Sequence, residues 1–242
     1  MSSNKEEVKS PIVEVKEVVE APTAFDNFIE DPLSQAENVY SKYKNLLTVV
    51  GGGLLVAVLA FGVWKYYISS QEVDARTQMF QAVYYFEADS LDKALKGDGN
   101  YPGLNEIADD YGMTPSGNLA KFYVGTALLK QGKFEEAIES LKSFSSNDLL
   151  VQARAYSLIG DANMELKQYE EAVGFYDKAA DYKPNKEFTP TYLLKKGLAQ
   201  EKAADLEGAL ETYTSLLSDY PNSMAATDAK RSQGLVEALL GK

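Results

Sequence analysis

The side chains that could do chemistry are limited to carboxylates, hydroxyls and amines, because the 242 residues include neither histidine nor cysteine. Without histidine the chain lacks the commonest general base and the commonest transition-metal ligand. Without cysteine it has no thiol nucleophile, disulfide or thiolate metal site. The acidic pairs Glu135-Glu136 and Glu170-Glu171 recur at equivalent positions, where a helix dipole favours negative charge at a helix start. We therefore predict no catalytic residue and no enzyme activity.

Two glycine-rich stretches resemble ligand-binding loops but lack the residues that a ligand needs. Gly97–Asn100 begins like a calcium loop, yet Pro102 stands where a ligand belongs and no glutamate follows at the EF-hand spacing. Gly51–Gly53 lies in an apolar run and lacks the lysine and hydroxyl residue that complete a phosphate loop. We predict a turn at the first stretch, and neither a cofactor nor a metal ion in the chain.

The charge of the chain argues against nucleic acid as a partner. Asp and Glu number 36 against 24 Lys and Arg, which gives a formal net charge of −12. Phosphate binding needs a basic surface, whereas an acidic surface favours neutral or basic protein partners. Hydrophobic residues make up 45% of the chain, enough for a buried core, and we expect its partners to be proteins.

An uncharged run of nineteen residues, Leu46 to Trp64, is long enough to cross a bilayer. At about 1.5 Å rise per residue it spans roughly 28 Å, close to the thickness of the hydrocarbon core. Basic and aromatic side chains flank it at both ends, as at a membrane–water interface: Tyr40, Lys42, Tyr43, Lys44, Lys65, Tyr66 and Tyr67. The run is too long, and begins too far from residue 1, for a cleaved signal peptide. We predict a transmembrane helix at 46–68 in the lipid bilayer, with a buried core helix as the alternative.

Small residues recur along one side of this predicted span. Gly53, Ala57 and Ala60 have helical spacing and would let another helix approach closely, which lipid alone does not drive. We predict transmembrane packing at these three residues. The flanks carry equal numbers of basic residues, so the positive-inside rule does not choose an orientation.

The residues before the span divide into a tail and a short helix. Residues 1 to about 30 are rich in charge and interrupted by prolines, which predicts disorder. Asp31-Pro32 is typical of a helix start, with a capping aspartate before a proline. The predicted organisation is a disordered tail and juxtamembrane helix at 1–45, the span at 46–68, and a repeat domain at 69–242.

Three segments after the span share one pattern. Each has a glycine in a first helix, then an aromatic residue or leucine that opens a second helix, an alanine, and a bulky residue. These residues are Gly125, Phe134, Ala137 and Leu141; Gly160, Tyr169, Ala172 and Tyr176; and Gly197, Leu206, Ala209 and Tyr213. Small residues suit close helix crossings, and bulky residues suit the space between units. The alanines are 35 and 37 residues apart, which predicts a series of helical hairpins.

The stretches Lys130–Ile138 and Gln168–Val173 carry the clearest motif, and with a period near 34 residues they resemble tetratricopeptide repeats. The resemblance implies an all-α fold, in which a single N-terminal transmembrane helix is followed by a tetratricopeptide-repeat α-solenoid. Residues 74–96 look like a degenerate first hairpin. A loop at Gly97–Gly103 and a short helix near Leu104 to Tyr111 follow it, and Met224–Leu240 is the expected C-terminal capping helix.

Residues 40–242 also resemble one bacterial family, the ancillary subunits of the SecYEG translocon. The most distinctive stretch runs from Ile107–Tyr111 through Leu119-Ala120 to the first full repeat. The resemblance implies an inner-membrane protein with a cytoplasmic N-terminus and periplasmic repeats. Its expected partners are translocon subunits, exported chains or periplasmic chaperones, and its expected role is that of an adaptor or chaperone-like factor of protein export.

The superfamily geometry implies that partners bind the concave face made by the first helix of each hairpin. The predicted partner-binding residues are Phe122, Thr126, Leu129, Lys130, Arg154, Ser157, Asp161, Met164, Glu165, Leu194, Leu198, Glu201 and Lys202. The alternative function is a self-associating scaffold for envelope organisation or cell division. Its homo-oligomer would form through the Gly53 stripe or the capping helix.

The topology prediction is that residues 1–44 face the cytoplasm and 70–242 the periplasm. Because the chain has no native cysteine, a single cysteine at Glu139 should react with a membrane-impermeant maleimide added to intact spheroplasts. A cysteine at Glu37 should react only after the membrane is permeabilised. Reaction at position 37 and protection at position 139 would reverse the assigned orientation.

Overall fold

A computed structural model describes residues 24–242 of the chain. This part folds into ten α-helices and contains no β-strand. Their bounds are α1 Ala24–Glu87, α2 Leu91–Lys96, α3 Leu104–Asp110, α4 Pro115–Lys130, α5 Phe134–Ser143, α6 Leu149–Glu165, α7 Tyr169–Asp181, α8 Thr189–Lys202, α9 Leu206–Asp219 and α10 Met224–Leu240. The predicted all-α solenoid is confirmed, and its capping helix has the predicted bounds.

Helix α1 is 64 residues long and starts earlier than predicted. The helix start expected at Asp31-Pro32 is wrong, because α1 already includes Ala24. An interior proline removes one helical hydrogen bond but does not have to end the helix. The disorder predicted for residues 1 to about 30 is wrong for residues 24–30, which belong to α1, and its remainder, residues 1–23, lies outside the described residues. The chain divides into two compact units between Gly62 and Val63.

One stretch of α1, Thr48–Glu87, is long and apolar enough to cross a membrane; within residues 24–242 no other helix meets that condition. Its most apolar part has no buried residue. The side chains of Leu54, Leu59 and Phe61 are all exposed. Gly53 has no heavy atom near the position that a side chain would occupy.

Four hairpins in the second unit use the same turn. Helices α1 and α2, α4 and α5, α6 and α7, and α8 and α9 are each joined through a residue with positive φ: Asp89, Gly132, Lys167 and Ala204. The next residue donates its backbone N–H to a carbonyl five positions earlier, from Ser90 to Tyr85, Lys133 to Leu128, Gln168 to Asn163 and Asp205 to Gln200, at 2.8 to 2.9 Å. This bond satisfies a carbonyl that the helix end leaves free. The shared turn confirms that 74–96 forms a degenerate first hairpin.

In each full hairpin the two helices cross where the glycine of the first helix contacts the bulky residue of the second. A methyl group on Gly125 would lie 2.5 Å from Leu141 Cγ, and one on Gly160 would lie 2.6 Å from Tyr176 Cε1. A methyl group on Gly197 would overlap the Tyr213 ring in the same way. The three alanines of the pattern, Ala137, Ala172 and Ala209, are fully buried. The bulky residue therefore covers the glycine of its own hairpin, in addition to filling the predicted space between units.

The two ends of the series of hairpins are covered by different contacts. At the C-terminal end, Ala225, Ala229 and Val236 of α10 are buried against α9. At the N-terminal end, the Glu72 carboxylate of α1 accepts hydrogen bonds of 2.8 Å from the backbone N–H and the hydroxyl of Ser116 in the first turn of α4. A carboxylate at this position satisfies donors that the helix itself leaves unpaired.

The Gly97–Asn100 stretch is a turn, as predicted. The Asp98 carboxylate accepts hydrogen bonds from the backbone N–H groups of Asn100 at 2.9 Å and Tyr101 at 2.8 Å. Its second oxygen accepts from the Tyr85 hydroxyl at 2.7 Å. The hydrogen bond from Tyr85, followed by those from the backbone, lowers the pKa of Asp98. Two backbone donors of the turn and the Tyr85 hydroxyl of α1 thus occupy the carboxylate.

The glycine contact predicts opposite effects of one methyl group at two positions of the same hairpin. Gly160→Ala should destabilise the protein by about 1–3 kcal/mol, because the methyl group would overlap the Tyr176 ring. Gly174 lies in α7, where a side chain would have no heavy atom within 4 Å, so Gly174→Ala should stabilise by about 0.5–1 kcal/mol. Thermal unfolding of the full-length chain in detergent, followed by circular dichroism, measures both. Equal melting temperatures would contradict the assigned crossing.

Candidate protein-binding groove

The first helices of the three full hairpins enclose two adjoining cavities. The α4–α6 cavity, of about 440 Å³, is lined by Phe86, Phe122, Tyr123, Thr126, Lys130, Leu150, Val151 and Arg154. The α6–α8 cavity, of about 370 Å³, is lined by Leu150, Arg154, Ser157, Leu158, Asp161, Phe188, Thr191, Tyr192 and Lys195. Leu150 and Arg154 line both cavities. We call the two cavities together the inner groove.

Aromatic packing shapes the α4–α6 cavity. The Phe122 ring lies 5.4 Å from the Phe144 ring and 6.0 Å from the Tyr123 ring. The Tyr123 ring contacts Phe86 of α1 edge-on at 5.2 Å. Edge-on and tilted contacts of this kind are favourable beyond the apolar area that they bury. The aromatic part of the cavity wall is therefore held in place by neighbouring rings.

An ion pair connects the walls of the α6–α8 cavity. Lys195 Nζ of α8 lies 2.8 Å from both carboxylate oxygens of Asp161 in α6, and 3.3 Å from the Ser157 hydroxyl. The Tyr176 hydroxyl of α7 also donates to Asp161, at 2.7 Å. Burial, together with the Asp161 carboxylate, raises the pKa of Tyr176 above its ordinary value. An ordinary tyrosine is already protonated at neutral pH, and the raised pKa extends to more alkaline pH the range in which Tyr176 donates this hydrogen bond.

The groove has one cation without a counter-charge. Lys130 pairs with Asp89 at 2.8 Å and lies over the Phe86 ring, and Lys195 pairs with Asp161. Arg154 is exposed and makes neither an ion pair nor a hydrogen bond with any residue in the described part of the chain. The point where the two cavities meet is therefore positively charged.

The structure brings together six of the thirteen predicted partner-binding residues in the inner groove: Phe122, Thr126, Lys130, Arg154, Ser157 and Asp161. The other seven line neither cavity. Glu165, Leu198 and Lys202 are exposed, and Leu129, Met164 and Leu194 are half-buried against core clusters. Glu201 accepts a hydrogen bond from the Tyr213 hydroxyl at 2.5 Å. Whether partners contact any of the thirteen stays a prediction.

The positions of Phe122 and Leu194 show that the predicted concave face is not one continuous exposed surface. The side chain of Phe122 is 9% exposed and packs with Phe144 and Ile159, so most of it is core. Leu194 packs against α9 and α10, because the capping helix covers that side of α8. A substitution at Phe122 would therefore change the packing between hairpins as well as the groove.

Three of the groove residues that the sequence did not predict share a position relative to the repeat glycine. Tyr123, Leu158 and Lys195 each precede the glycine by two residues, and all three line the groove. Aligning the repeats on Gly125, Gly160 and Gly197 would have found them. The remaining missed residues come from helix starts and from α1: Phe86, Leu150, Val151, Phe188, Thr191 and Tyr192.

The repeat region matches known protein-family models. Two family models described as tetratricopeptide repeat match residues 124–187 and 192–223. The chain contains tetratricopeptide repeats. The first match begins within α4 and ends in the loop before α8, and the second begins within α8 and ends just before α10. Proteins with this repeat typically serve as non-enzymatic scaffolds for protein–protein interaction, and the predicted protein partners agree with that.

Solved structures show a similar solenoid. The repeats of a putative kinesin light chain from Podosopora anserina, and a single-substitution variant of them, match with 14% identity and a TM-score of 0.53. Each match covers 69% of this chain and 86% of the other. The structure of MamA matches with 22% identity and a TM-score of 0.46, over 57% of this chain and 79% of that one. At these identities the kinesin light chain repeats show the fold alone. No curated protein matches the chain.

Proposed function

We propose that the protein is a membrane-anchored adaptor that binds partner polypeptides in the inner groove. The observation that carries the proposal is the continuity of the two cavities through Leu150 and Arg154. An elongated groove suits an extended peptide segment better than a compact small molecule. Its aromatic and aliphatic walls supply affinity, and its charges select the partner.

The proposed anchor is the 46–68 part of α1. Its length, composition and exposed apolar side chains support this assignment. The proposed location is a bacterial inner membrane, with the N-terminus in the cytoplasm and the repeats in the periplasm. The orientation rests on the resemblance to ancillary translocon subunits, since the flanking charges do not choose one.

The proposed biological role is that of an ancillary or chaperone-like factor in protein export. Exported chains are unfolded while they cross a membrane and expose extended apolar segments, which a groove of this chemistry can hold. Translocon subunits and periplasmic chaperones are the other proposed partners. The same family resemblance supports this role, and the groove geometry agrees with it.

A second candidate function is self-association into a scaffold. A cavity of about 550 Å³ between α1 and the start of α4 is lined mainly by apolar residues. Phe80, at its edge, is 77% exposed, and Tyr84 is 58% exposed. A protruding aromatic ring beside an apolar cavity can be self-complementary across a two-fold axis. The exposed Gly53, Ala57 and Ala60 would let the spans of two copies pack.

Photo-crosslinking separates the two functions. A photoreactive amino acid at Thr126 or Thr191, on the inner groove, should give crosslinks to other proteins in intact cells. Exposed positions on second helices, Glu139 in α5 and Glu211 in α9, serve as matched controls and should give only background. Equal labelling from both sets, or labelling from the controls alone, would overturn the groove as the binding surface. Crosslinks mainly between copies of the chain would favour the scaffold.

A further inference from the structure

The charges that line the inner groove do not follow the charge of the whole chain. Although the net charge is −12, the residues lining the two cavities include three cations, Lys130, Arg154 and Lys195, and one carboxylate, Asp161. Asp161 is already held by Lys195, and Lys130 by Asp89 outside the groove. The net effect is a single uncompensated positive charge, on Arg154.

Arg154 also lines the apolar surface of both cavities. In the α4–α6 cavity its neighbours include Phe122 and Val151, and in the α6–α8 cavity they include Phe188 and Tyr192. A guanidinium group binds a carboxylate through two parallel hydrogen bonds and is more weakly hydrated than an ammonium group. Arg154 is thus suited to pair with a carboxylate whose flanking side chains enter the two cavities.

The spacing of such a ligand follows from the geometry of extended chains. In an extended peptide, residues two apart point to the same side and lie about 6.6–6.8 Å from each other. Leu150 and Arg154 line both cavities, which lie on the α4 side and the α8 side of α6, and packed helices are typically about 8–10 Å apart. Side chains at positions −2, 0 and +2 of the ligand can therefore meet one cavity, Arg154 and the other cavity.

We propose that the inner groove binds extended segments in which Asp or Glu stands two residues from an apolar side chain on either side, with Arg154 as the carboxylate-binding residue. This proposal rests on the adaptor function, and it specifies the partner as an extended segment with an acidic residue between apolar ones. Segments with a neutral or basic central residue should bind more weakly, because the positive charge of Arg154 then has no counter-charge.

A peptide-binding measurement on the full-length chain in mild detergent tests this preference. The probe is a fluorescein-labelled peptide, Gly-Ser-Phe-Ser-Glu-Ser-Leu-Ser-Gly, and its affinity is followed by fluorescence anisotropy. Replacing the central Glu by Gln should weaken binding by about tenfold, the typical loss for a charge-assisted hydrogen-bonded pair. Arg154→Gln should weaken the Glu peptide to the same level and leave the Gln peptide unaffected.

A charge-reversal variant gives a more specific test of the same contact. Arg154→Glu should reject the Glu peptide and bind a peptide with a central Lys more tightly than the original chain does. Arg231→Gln is the matched control, since Arg231 is an exposed arginine of α10 that pairs with Asp228 away from the groove. It should leave both affinities unchanged, and an effect equal to that of Arg154→Gln would show a bulk charge effect and overturn the proposal.

Failure of the inference is distinguishable from failure of the adaptor function. If the Glu, Gln and Lys peptides bind equally, or if none binds, the carboxylate preference is wrong. The groove would still be the partner surface as long as crosslinks form from Thr126 and Thr191. If those positions give no crosslinks while Glu139 and Glu211 do, the adaptor function through this groove is wrong as well.

Discussion

The close approach of Gly160 to the Tyr176 ring is the contact on which the groove depends. Because glycine has no side chain, the ring lies directly against the backbone of α6, where even one methyl group would be 2.6 Å from it. The ring then places its hydroxyl within hydrogen-bonding distance of Asp161, and Asp161 holds Lys195 of the next hairpin. A packing contact in the core is therefore connected through Tyr176 and Asp161 to the ion pair in the groove.

The three hairpins share this packing but differ in polarity. In the third full hairpin, α8–α9, the Tyr213 hydroxyl donates a hydrogen bond to Glu201, so a second carboxylate is held in the same manner. Burial and the Glu201 hydrogen bond raise the pKa of Tyr213, which keeps that donor protonated too. The first full hairpin, α4–α5, has Leu141 at the equivalent position, and leucine has no hydroxyl group. Of the two cavities of the groove, the α6–α8 cavity carries the Asp161–Lys195 ion pair, whereas the α4–α6 cavity includes the aromatic rings of Phe86, Phe122 and Tyr123.

The hairpins were predictable from the sequence because their determinants are local. Glycine, alanine and bulky residues at repeated spacing located the crossing of each full hairpin, and Met224–Leu240 was located by the end of the pattern. The start of α1 was not predictable in this way, since Pro32 is compatible with a helix start and with a helix interior. The burial of Phe122 and the covering of Leu194 depend on contacts with Phe144 and α10, which are distant from them in sequence, so no local pattern indicated these contacts.

The most direct test of the binding account is a crystal structure of the full chain with a bound acidic peptide segment. The account predicts that the segment lies between α4 and α8, with its carboxylate about 2.7–2.9 Å from the Arg154 guanidinium nitrogens. Its apolar side chains should occupy the two cavities, and the Asp161–Lys195 pair should remain intact. A segment bound to the outer faces of α5, α7 and α9, or in the cavity between α1 and α4, would contradict the account.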